Sequence, residues 1–315
     1  MTWLSWFPDT AWKGAVLLSA AWLAARALRR QPSALRHLVW VAALGGLLVM
    51  PVLSAAIPVR VSLPAVPVAA PPAPPVNESG TPTDRDSRDN VPPTARLVSD
   101  GSESLPVSDE LPKASVLPAW SAGDWLVAVW LLGALAFGLR FAAASLAIRR
   151  LRSGPAPQDE RLHRSLELAA AKVGLRSPPS LVISEDVSIP CAYGWLRPVV
   201  VLPPEARGWS CERVDVVLLH EATHIRRGDY VTHLVAEFAR IIHWYNPLVW
   251  VASRSLRAEA ERATDERVMN AGPTASDYAD HLLDIVRGAG TRRVPVPLLP
   301  LAHRSEFEGR LIAIL

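Results

Sequence analysis

Three long apolar runs dominate the first half of this 315-residue chain, at residues 10–28, 38–57 and 120–139. Each run, as a helix, is about long enough to cross a hydrocarbon core about 30 Å thick. Tryptophans near the ends of the runs, and basic residues beyond them, are typical of membrane-spanning helices. Helices buried in a soluble core are the alternative interpretation. Run length and flanking residues together favour about three transmembrane helices.

The basic residues beside these runs predict the orientation of the chain in the membrane. Loops rich in arginine stay in the cytoplasm, and residues 58–118 have a slight acidic excess instead. We therefore expect a multi-pass protein of the cell membrane, with its amino terminus outside and everything after about residue 149 in the cytoplasm. The basic residues that set this orientation are Arg29, Arg30, Arg36, Arg149, Arg150 and Arg152.

The segment between the second and third runs differs from the rest in composition. It contains "PAVPVAAPPAPPVNESGTPTDRDSRDNVPP", whose proline, serine and aspartate content is too high to bury a hydrophobic core. Residues 58–118 are therefore predicted to form a disordered extracytoplasmic linker, in part with polyproline geometry.

From residue 159 onward the pattern becomes that of a globular domain. The segments "PSLVIS", "PCAYGWL" and "PVVVLP" are short, apolar and bounded by Pro or Gly, which predicts strands. Helix boundaries are indicated by Gly174 and Gly228 as stops, and by Ser210, Asp229 and Asn246 as caps. The fold class is therefore α+β, with a mostly helical domain that contains a small sheet. The predicted helices cover residues 159–174, 211–227, 229–244, 247–269 and 276–287.

Composition agrees with a membrane protein and narrows its partners. Half of the residues are hydrophobic and 12 are tryptophan, which is high for a soluble protein. The formal net charge of +3 does not indicate direct nucleic-acid binding. Cys191 and Cys211 lack metal-ligand spacing with each other, so we expect free thiols in a reducing compartment.

The stretch "LLHEATHIRRGDY", residues 218–230, carries the strongest chemical signal in the chain. His220 and His224 are four residues apart, so a helix places both on one face, one turn apart. Two imidazoles so placed can bind one Zn²⁺, with the Glu221 carboxylate beside the metal. An ordinary helix that happens to carry two histidines is the alternative.

A catalytic zinc site needs a third protein ligand and one open position. The downstream stretch "RAEAERATDERV" offers Glu261 as that ligand, and Asp265 one turn later could hold a ligand histidine by its other ring nitrogen. Glu259 is a competing ligand without an aspartate at that interval. A solvated, charged helix face is the alternative for this stretch on its own, but the H-E-x-x-H motif upstream favours the metal site.

With these residues the chain resembles the glutamate-zinc peptidases, and within them the BlaR/MecR-type membrane metallopeptidases, the β-lactam sensor-transducers of bacteria. The similarity extends through "SALRHLVW", "CAYGWLRPVVVLPPE", "HEATHIRRGD", "HWYNPLVW" and "ERATDERV" in the family's order. The resemblance implies a Zn²⁺ cofactor bound by His220, His224 and Glu261. It implies Glu221 as the catalytic carboxylate and Asp265 as the support of a ligand. Thr264 stands where family members often have Cys.

The resemblance also predicts how the domain would act. Glu221 would accept a proton from the attacking water and deliver it to the leaving amine, and the strands around 191–202 would bind an extended peptide. The sequence offers four candidates for stabilising the carbonyl oxygen, and it does not choose among them. Residues of these types more often have a purely structural role. The four are Tyr230, His233, His243 and Tyr245. The segment "IIHWYNPLVWVA", residues 241–252, is too short and too Pro-broken for another span, and would pack against the membrane or roof the cleft.

The leading hypothesis is a membrane-embedded zinc endopeptidase that cleaves a cytoplasmic protein, by resemblance a transcriptional repressor, in transmembrane signalling. A processing or quality-control protease and a non-catalytic signalling scaffold are the alternatives. No lysine follows a serine by three positions and neither S-D-N nor K-T-G occurs, so a penicillin-binding site is not expected in this chain. The ending "SEFEGRLIAIL" lies in an apparent amphipathic helix, which favours a chain cut from a longer protein.

The predicted organisation has five parts. Two transmembrane helices with a short basic cytoplasmic loop are followed by the linker, a third transmembrane helix, the cytoplasmic zinc metallopeptidase domain and a carboxy-terminal segment. Their respective ranges are 1–57, 58–118, 119–149, 150–290 and 291–315.

Overall fold

The computed structural model describes residues 3–56, 120–151, 156–272 and 274–288. The predicted linker at 58–118 and the segment at 291–315 lie outside the described residues. The helices are α1 (Trp3–Ala27), α2 (Ser33–Ala56), α3 (Ala122–Leu151), α4 (Glu160–Val173), α5 (Cys211–Arg227), α6 (Asp229–Ile242), α7 (Pro247–Met269) and α8 (Ala275–Gly288). The strands are β1 (Ser180–Ile183), β2 (Cys191–Tyr193) and β3 (Val199–Leu202), and a 3₁₀ turn covers Pro204–Gly208.

Two helices in the described part of the chain are long and apolar enough to cross a membrane. They are α2, over Ser33–Pro51, and α3. None of the most apolar stretch of α3 is buried within the fold, and Trp125, Leu132 and Leu135 are among its exposed side chains. The first predicted run, residues 10–28, lies almost entirely in α1, and its crossing of a membrane stays a prediction.

The three predicted strands are confirmed and form one small sheet in the order β1-β3-β2. β1 pairs with β3 in parallel, with Ser180 opposite Val199, whereas β2 pairs with β3 antiparallel, with Cys191 opposite Val201. Every residue of the central strand β3 is buried, because α4 and α5 pack on one face of the sheet and the end of α3 packs on the other. Its apolar run therefore lacks the alternation of a half-exposed strand.

The helix boundaries follow the predicted caps with one exception. Ser210 and Asn246 accept hydrogen bonds from backbone N–H groups in the first turns of α5 and α7. Gly228 ends α5 at φ 73°, a left-handed conformation that glycine adopts without strain. The prediction that Asp229 caps α6 is wrong: Gly228 occupies the cap and the Asp229 side chain makes no capping bond.

The consecutive helices α6 and α7 pack against the apolar helices of the amino-terminal half. Their small and apolar side chains share one buried cluster with Leu18 of α1 and with Trp40, Leu44 and Leu47 of α2. The loop between α6 and α7 reaches α3, where the Trp130 indole donates to the carbonyl of Ile242 over 2.9 Å. The segment 241–252 thus packs on the apolar helices. The same contacts position α6 and α7 relative to α5.

Candidate metal centre

Two imidazoles of α5 face each other at the centre of the candidate site. The four-residue spacing places His220 and His224 on one face of the helix, and their Nε2 atoms lie 3.1 Å apart. Both side chains are buried, with 6% and 9% of their surface exposed. This part of α5 is also where the helix passes through the core, since Leu218, Leu219 and Ala222 are buried beside them.

The third member of the group comes from α7. The Glu261 carboxylate oxygens lie 3.7 Å from Nε2 of His220 and 3.6 Å from Nε2 of His224. Among the described residues these three side chains form a group whose ligand atoms all lie within 4.8 Å of one another. Ligand atoms about 2.0–2.1 Å from one tetrahedral Zn²⁺ lie roughly 3.3–3.4 Å apart. The spacing and the two-nitrogen, one-oxygen set therefore fit a zinc ion.

The other ring nitrogens of the two histidines are occupied, which fixes their orientation. Nδ1 of His220 lies 2.8 Å from the Tyr278 hydroxyl, and Nδ1 of His224 lies 2.8 Å from Oδ2 of Asp229. Since Tyr278 donates its own proton to Asp265 over 2.6 Å, its oxygen accepts from Nδ1–H of His220. Each ring then presents the lone pair of Nε2 toward Glu261, as a metal ligand requires.

Asp265 contributes to this arrangement partly through a residue that the sequence did not indicate. Its Oδ1 lies 3.5 Å from Nδ1 of His220, and the Tyr278 hydroxyl makes the shorter contacts to both. Tyr278 belongs to α8, thirteen residues beyond Asp265, and is fully buried. No motif spacing identifies such a tyrosine; its only sequence signal is an aromatic residue on the apolar face of a short amphipathic helix.

Asp229 is the second residue at the site that the sequence does not indicate, because its place at the start of α6 predicts a helix cap. Its Oδ2 accepts from His224 and, over 3.0 Å, from Nε of Arg227. Its Oδ1 lies 3.9 Å from Nε2 of His37. Burial opposes ionisation of Asp229, but His224 and Arg227 outweigh this effect and lower its pKa. Asp229 thus connects a candidate ligand to α2.

The competing ligand Glu259 points away from the two histidines. Its Oε2 accepts from Nε of Arg36 over 2.9 Å, and its Oε1 accepts from Arg262 over 2.9 Å. Two residues along a helix rotate a side chain by about 200°, so Glu259 and Glu261 face opposite sides of α7. The structure therefore brings Glu261, and not Glu259, to the imidazoles.

Glu221 lies beside this group in a cleft of about 70 Å³. The cleft is also lined by His224, Glu261 and the β2 residues Ala192 and Tyr193. Glu221 is 4% exposed. Its charge, after the larger effect of burial, raises the pKa of the Cys191 thiol, which keeps that cysteine protonated at neutral pH. A carboxylate next to the candidate metal position is where a proton acceptor for an attacking water would stand.

A family model described as "BlaR1 peptidase M56" matches residues 9–314, which is nearly the whole chain. The chain belongs to the M56 peptidase family. This membership confirms the resemblance found in the sequence and implies metallopeptidase activity in general.

Individual relatives align with shorter parts of this chain than the family model does. The regulatory protein BlaR1 of Bacillus licheniformis is 28% identical over 144 residues, which cover 45% of this chain and 24% of the relative. The methicillin resistance MecR1 protein of Staphylococcus aureus is 20% identical over 185 residues, 57% of this chain and 32% of the relative. The matched part therefore spans about a quarter to a third of these curated relatives.

Charges at the centre of this M56 chain favour a cation. Burial opposes protonation of His224, but the carboxylates of Glu261, Asp229 and Glu221 outweigh it and raise its pKa to about 9. A raised imidazole pKa means that the surrounding carboxylates stabilise positive charge at this site. A divalent metal ion can provide that charge in place of the proton. For His233, in contrast, burial dominates and lowers the pKa to about 4.

The four candidates for stabilising a carbonyl oxygen separate into two pairs. Tyr230 and His233 line the cleft with Glu221 and Glu261. His243 and Tyr245 are not among the residues that line it; Nδ1 of His243 lies 3.5 Å from the Tyr245 hydroxyl, at the far end of α6. The structure therefore leaves one tyrosine and one histidine of α6 beside the candidate centre.

Proposed function

We propose that the chain is a membrane-embedded zinc endopeptidase that cleaves a cytoplasmic protein as part of transmembrane signalling. The observation that carries the proposal is the convergence of His220, His224 and Glu261, with both Nδ1 atoms occupied and both Nε2 atoms directed toward the Glu261 carboxylate. Glu221 beside them distinguishes a hydrolytic site from a structural one, because structural zinc sites are closed by four protein ligands.

His220, His224 and Glu261 would hold the zinc. When bound, Zn²⁺ would act as the Lewis acid that polarises the scissile carbonyl and acidifies the attacking water. Glu221 would accept a proton from that water as its oxygen adds to the carbonyl carbon. It would then deliver the proton to the amide nitrogen as the carbon–nitrogen bond breaks. Asp229, Asp265 and Tyr278 would keep the two imidazoles oriented throughout.

The sheet edge beside the cleft suits an extended peptide substrate. β2 is an edge strand in the order β1-β3-β2, and Ala192, Tyr193 and Gly194 at its end line the cleft. Gly194 has φ 92°, and a Cβ atom at this position would lie 2.8 Å from the carbonyl oxygen of Arg197, so a tight turn that requires glycine follows the strand directly. A peptide added along this edge would pass Glu221 with its backbone hydrogen-bonded, which favours a protein substrate over a small molecule.

The membrane setting rests on α2 and α3, on the amino-terminal run in α1 and on the arginines at their ends. If these helices span the lipid bilayer, retention of the arginine-rich ends in the cytoplasm would place the amino terminus outside and α4 to α8 on the cytoplasmic side. A substrate on that side is consistent with the names of the relatives, a regulatory protein and a methicillin resistance protein. A transcriptional repressor is the substrate class that this role favours.

The test compares Glu221→Gln with wild type in purified, lipid-reconstituted protein. We expect both to bind one zinc per chain, and only the wild type to cleave members of a peptide library derived from the host's cytoplasmic proteins. Mass spectrometry of new amino termini, in the library and in cells that express each variant, would identify the substrate. Glu212→Gln, an exposed glutamate in the first turn of the same helix, is the matched control and should retain cleavage.

The outcomes distinguish the three functional hypotheses, a signalling endopeptidase, a processing protease and a non-catalytic scaffold. Equal cleavage by Glu221→Gln and wild type would disprove the peptidase mechanism, and intact signalling by a cleavage-dead Glu221→Gln would favour the scaffold. Cleavage confined to membrane or secreted proteins would favour the processing protease. A regulator of transcription among the cleaved proteins would support the proposal in full.

A further inference from the structure

Peptide hydrolysis at the proposed site would be accelerated by a hydrogen-bond donor that neither the candidate metal ligands nor Glu221 provide. As water adds to the carbonyl carbon, negative charge develops on the carbonyl oxygen. A fixed hydrogen-bond donor aimed at that oxygen stabilises the charge, and removal of one such donor typically costs 10²–10³-fold in rate, an order-of-magnitude figure. Glu221 is a proton acceptor, and Glu261 and the two imidazoles are committed to the metal.

His233 is half-buried at this cleft, but its Nε2 atom is enclosed. Within the described part of the chain this atom makes no hydrogen bond, although the side chain lines the cleft with Glu221, His224 and Glu261. Buried polar atoms are nearly always paired, and an exception beside a reactive centre indicates a missing partner. The imidazole also interacts electrostatically with Glu261 and Asp229.

The position of His233 on α6 follows from the residue that orients the ligand. Asp229 holds Nδ1 of His224 at 2.8 Å, and His233 lies one helical turn later on the same face. The start of α6 therefore contains both Asp229, which orients His224, and His233, which lines the cleft. The position of α6 is set by packing, since Ala236 and Ala239 further along it are fully buried in the cluster shared with α2 and α7.

The alternatives are weaker on geometry. The Tyr230 ring packs against the cluster that contains Ile148 and the sheet residues. Burial raises the pKa of its hydroxyl, and the nearby positive charge of Arg149 partly offsets this effect. The hydroxyl therefore lies toward the end of α3. His243 also has a buried Nε2 without a hydrogen-bond partner among the described residues. It lies ten residues beyond His233, about 15 Å along the helix.

We propose that His233 is a catalytic residue of this site, whose Nε2–H donates a hydrogen bond to the carbonyl oxygen of the scissile peptide as its negative charge develops. The inference rests on the proposed function. No proton leaves His233: the water's proton passes through Glu221 to the leaving amine, and the ring returns to its unpaired state when the products depart.

The experiment measures binding rather than turnover, so that it does not need the natural substrate. The full chain in lipid is loaded with Co²⁺, whose visible absorption reports ligands at the metal. It is then titrated with phenylphosphonate, which presents a second charged oxygen, and with benzenethiol, which presents only sulfur. For His233→Phe we expect phenylphosphonate to bind about 10- to 100-fold more weakly, as for a lost hydrogen bond to a charged group. Co²⁺ affinity and benzenethiol affinity should change less than about twofold.

The controls decide between a donor and a structural role. His233→Asn keeps an N–H donor and should recover part of the phenylphosphonate affinity. His243→Phe removes another ring whose Nε2 atom is buried without a hydrogen-bond partner among the described residues, and it should leave the binding of both probes unaffected. Unchanged phenylphosphonate binding in His233→Phe would overturn the inference, as would a parallel loss of Co²⁺ binding, which would make His233 a support of the ligands. A loss seen in Tyr230→Phe instead would assign the role to the tyrosine. Failure of wild-type protein to bind Co²⁺ would overturn the proposed function as well.

Discussion

The Tyr278 hydroxyl lies 2.8 Å from Nδ1 of His220 and ties α8 to the candidate metal centre. The same hydroxyl donates to Asp265 on α7, so one side chain joins the helix of the two imidazoles to the helix of the carboxylate ligand. Second partners of this kind fix the ring of a metal ligand and raise its basicity.

Replacing Tyr278 by Phe should weaken zinc binding without changing the ligands. We expect the Kd for Zn²⁺ to rise about 10- to 100-fold, because His220 loses the acceptor that fixes its tautomer. Competition with a fluorescent zinc chelator measures the change. Tyr245→Phe, which removes a hydroxyl outside the cleft, is the control. Equal zinc affinity in Tyr278→Phe and wild type would show that Asp265 alone orients His220.

The contact from α2 to Asp229 should be energetically coupled to metal binding. His37→Ala leaves Asp229 without its neighbour on α2, so zinc affinity should fall several-fold, less than the roughly 10- to 100-fold expected for Asp229→Ala. Since both act through His224, the double variant should resemble Asp229→Ala alone. Zinc competition on the four proteins gives the coupling, with Leu38→Ala, an exposed neighbour on α2, as control. Strictly additive losses would show that α2 does not act through Asp229.

The two glutamates of α7 should have separate roles. Glu261→Gln should abolish tight zinc binding, because it removes one of three protein ligands. Glu259→Gln should retain zinc but lower the free energy of unfolding by about 1–3 kcal/mol, because the Arg36 guanidinium loses a charged acceptor in a largely buried setting. Zinc content and thermal unfolding in lipid distinguish them. Loss of zinc in Glu259→Gln with retention in Glu261→Gln would reverse the ligand assignment.

The raised pKa of His224 predicts opposite effects of pH on the metal-free and the zinc-loaded protein. Without metal, a folded pKa of about 9 against an ordinary 6.5 adds stability that is complete below about pH 6.5 and is lost as the pH rises through 9. Zinc must displace that proton, so its affinity should rise up to about tenfold per pH unit until about pH 9.

Thermal unfolding at pH 6.5 to 9, with zinc buffered at one free concentration or removed by chelator, measures both effects. The Tm of the metal-free protein should fall over this range, and the increase in Tm caused by zinc should grow. A zinc-induced increase in Tm that stays constant with pH would contradict the assigned protonation of His224.

The two cysteines should report the orientation of the domain. Cys211 is exposed, whereas Cys191 is 1% exposed and burial raises the pKa of its thiol. A membrane-impermeant maleimide should therefore label Cys211 in inverted membrane vesicles and not in intact cells, and should leave Cys191 unmodified until the protein is denatured. Cys211→Ser is the control. Labelling of Cys211 in intact cells would place the domain outside.

Local sequence determined the elements and the chemistry of the motif. Helix α5 follows from its Ser210 cap and Gly228 stop, and the four-residue spacing of His220 and His224 fixes their common face. The three strands follow from apolar segments bounded by Pro and Gly. These features depend on residues within a few positions of one another, so a single chain is enough to predict them.

Tertiary packing decided everything that joins distant parts of the chain. The spacing to Asp265 favours Glu261 over Glu259 as the ligand, but only the structure gives Glu259 another partner, the Arg36 guanidinium of α2. Asp229 is a residue type that often caps helices, yet its carboxylate binds the buried imidazole of His224 instead. Tyr278 reaches His220 across 58 positions. Such contacts depend on which helix faces meet, and that is set by the burial of whole apolar surfaces, which local residue patterns do not specify.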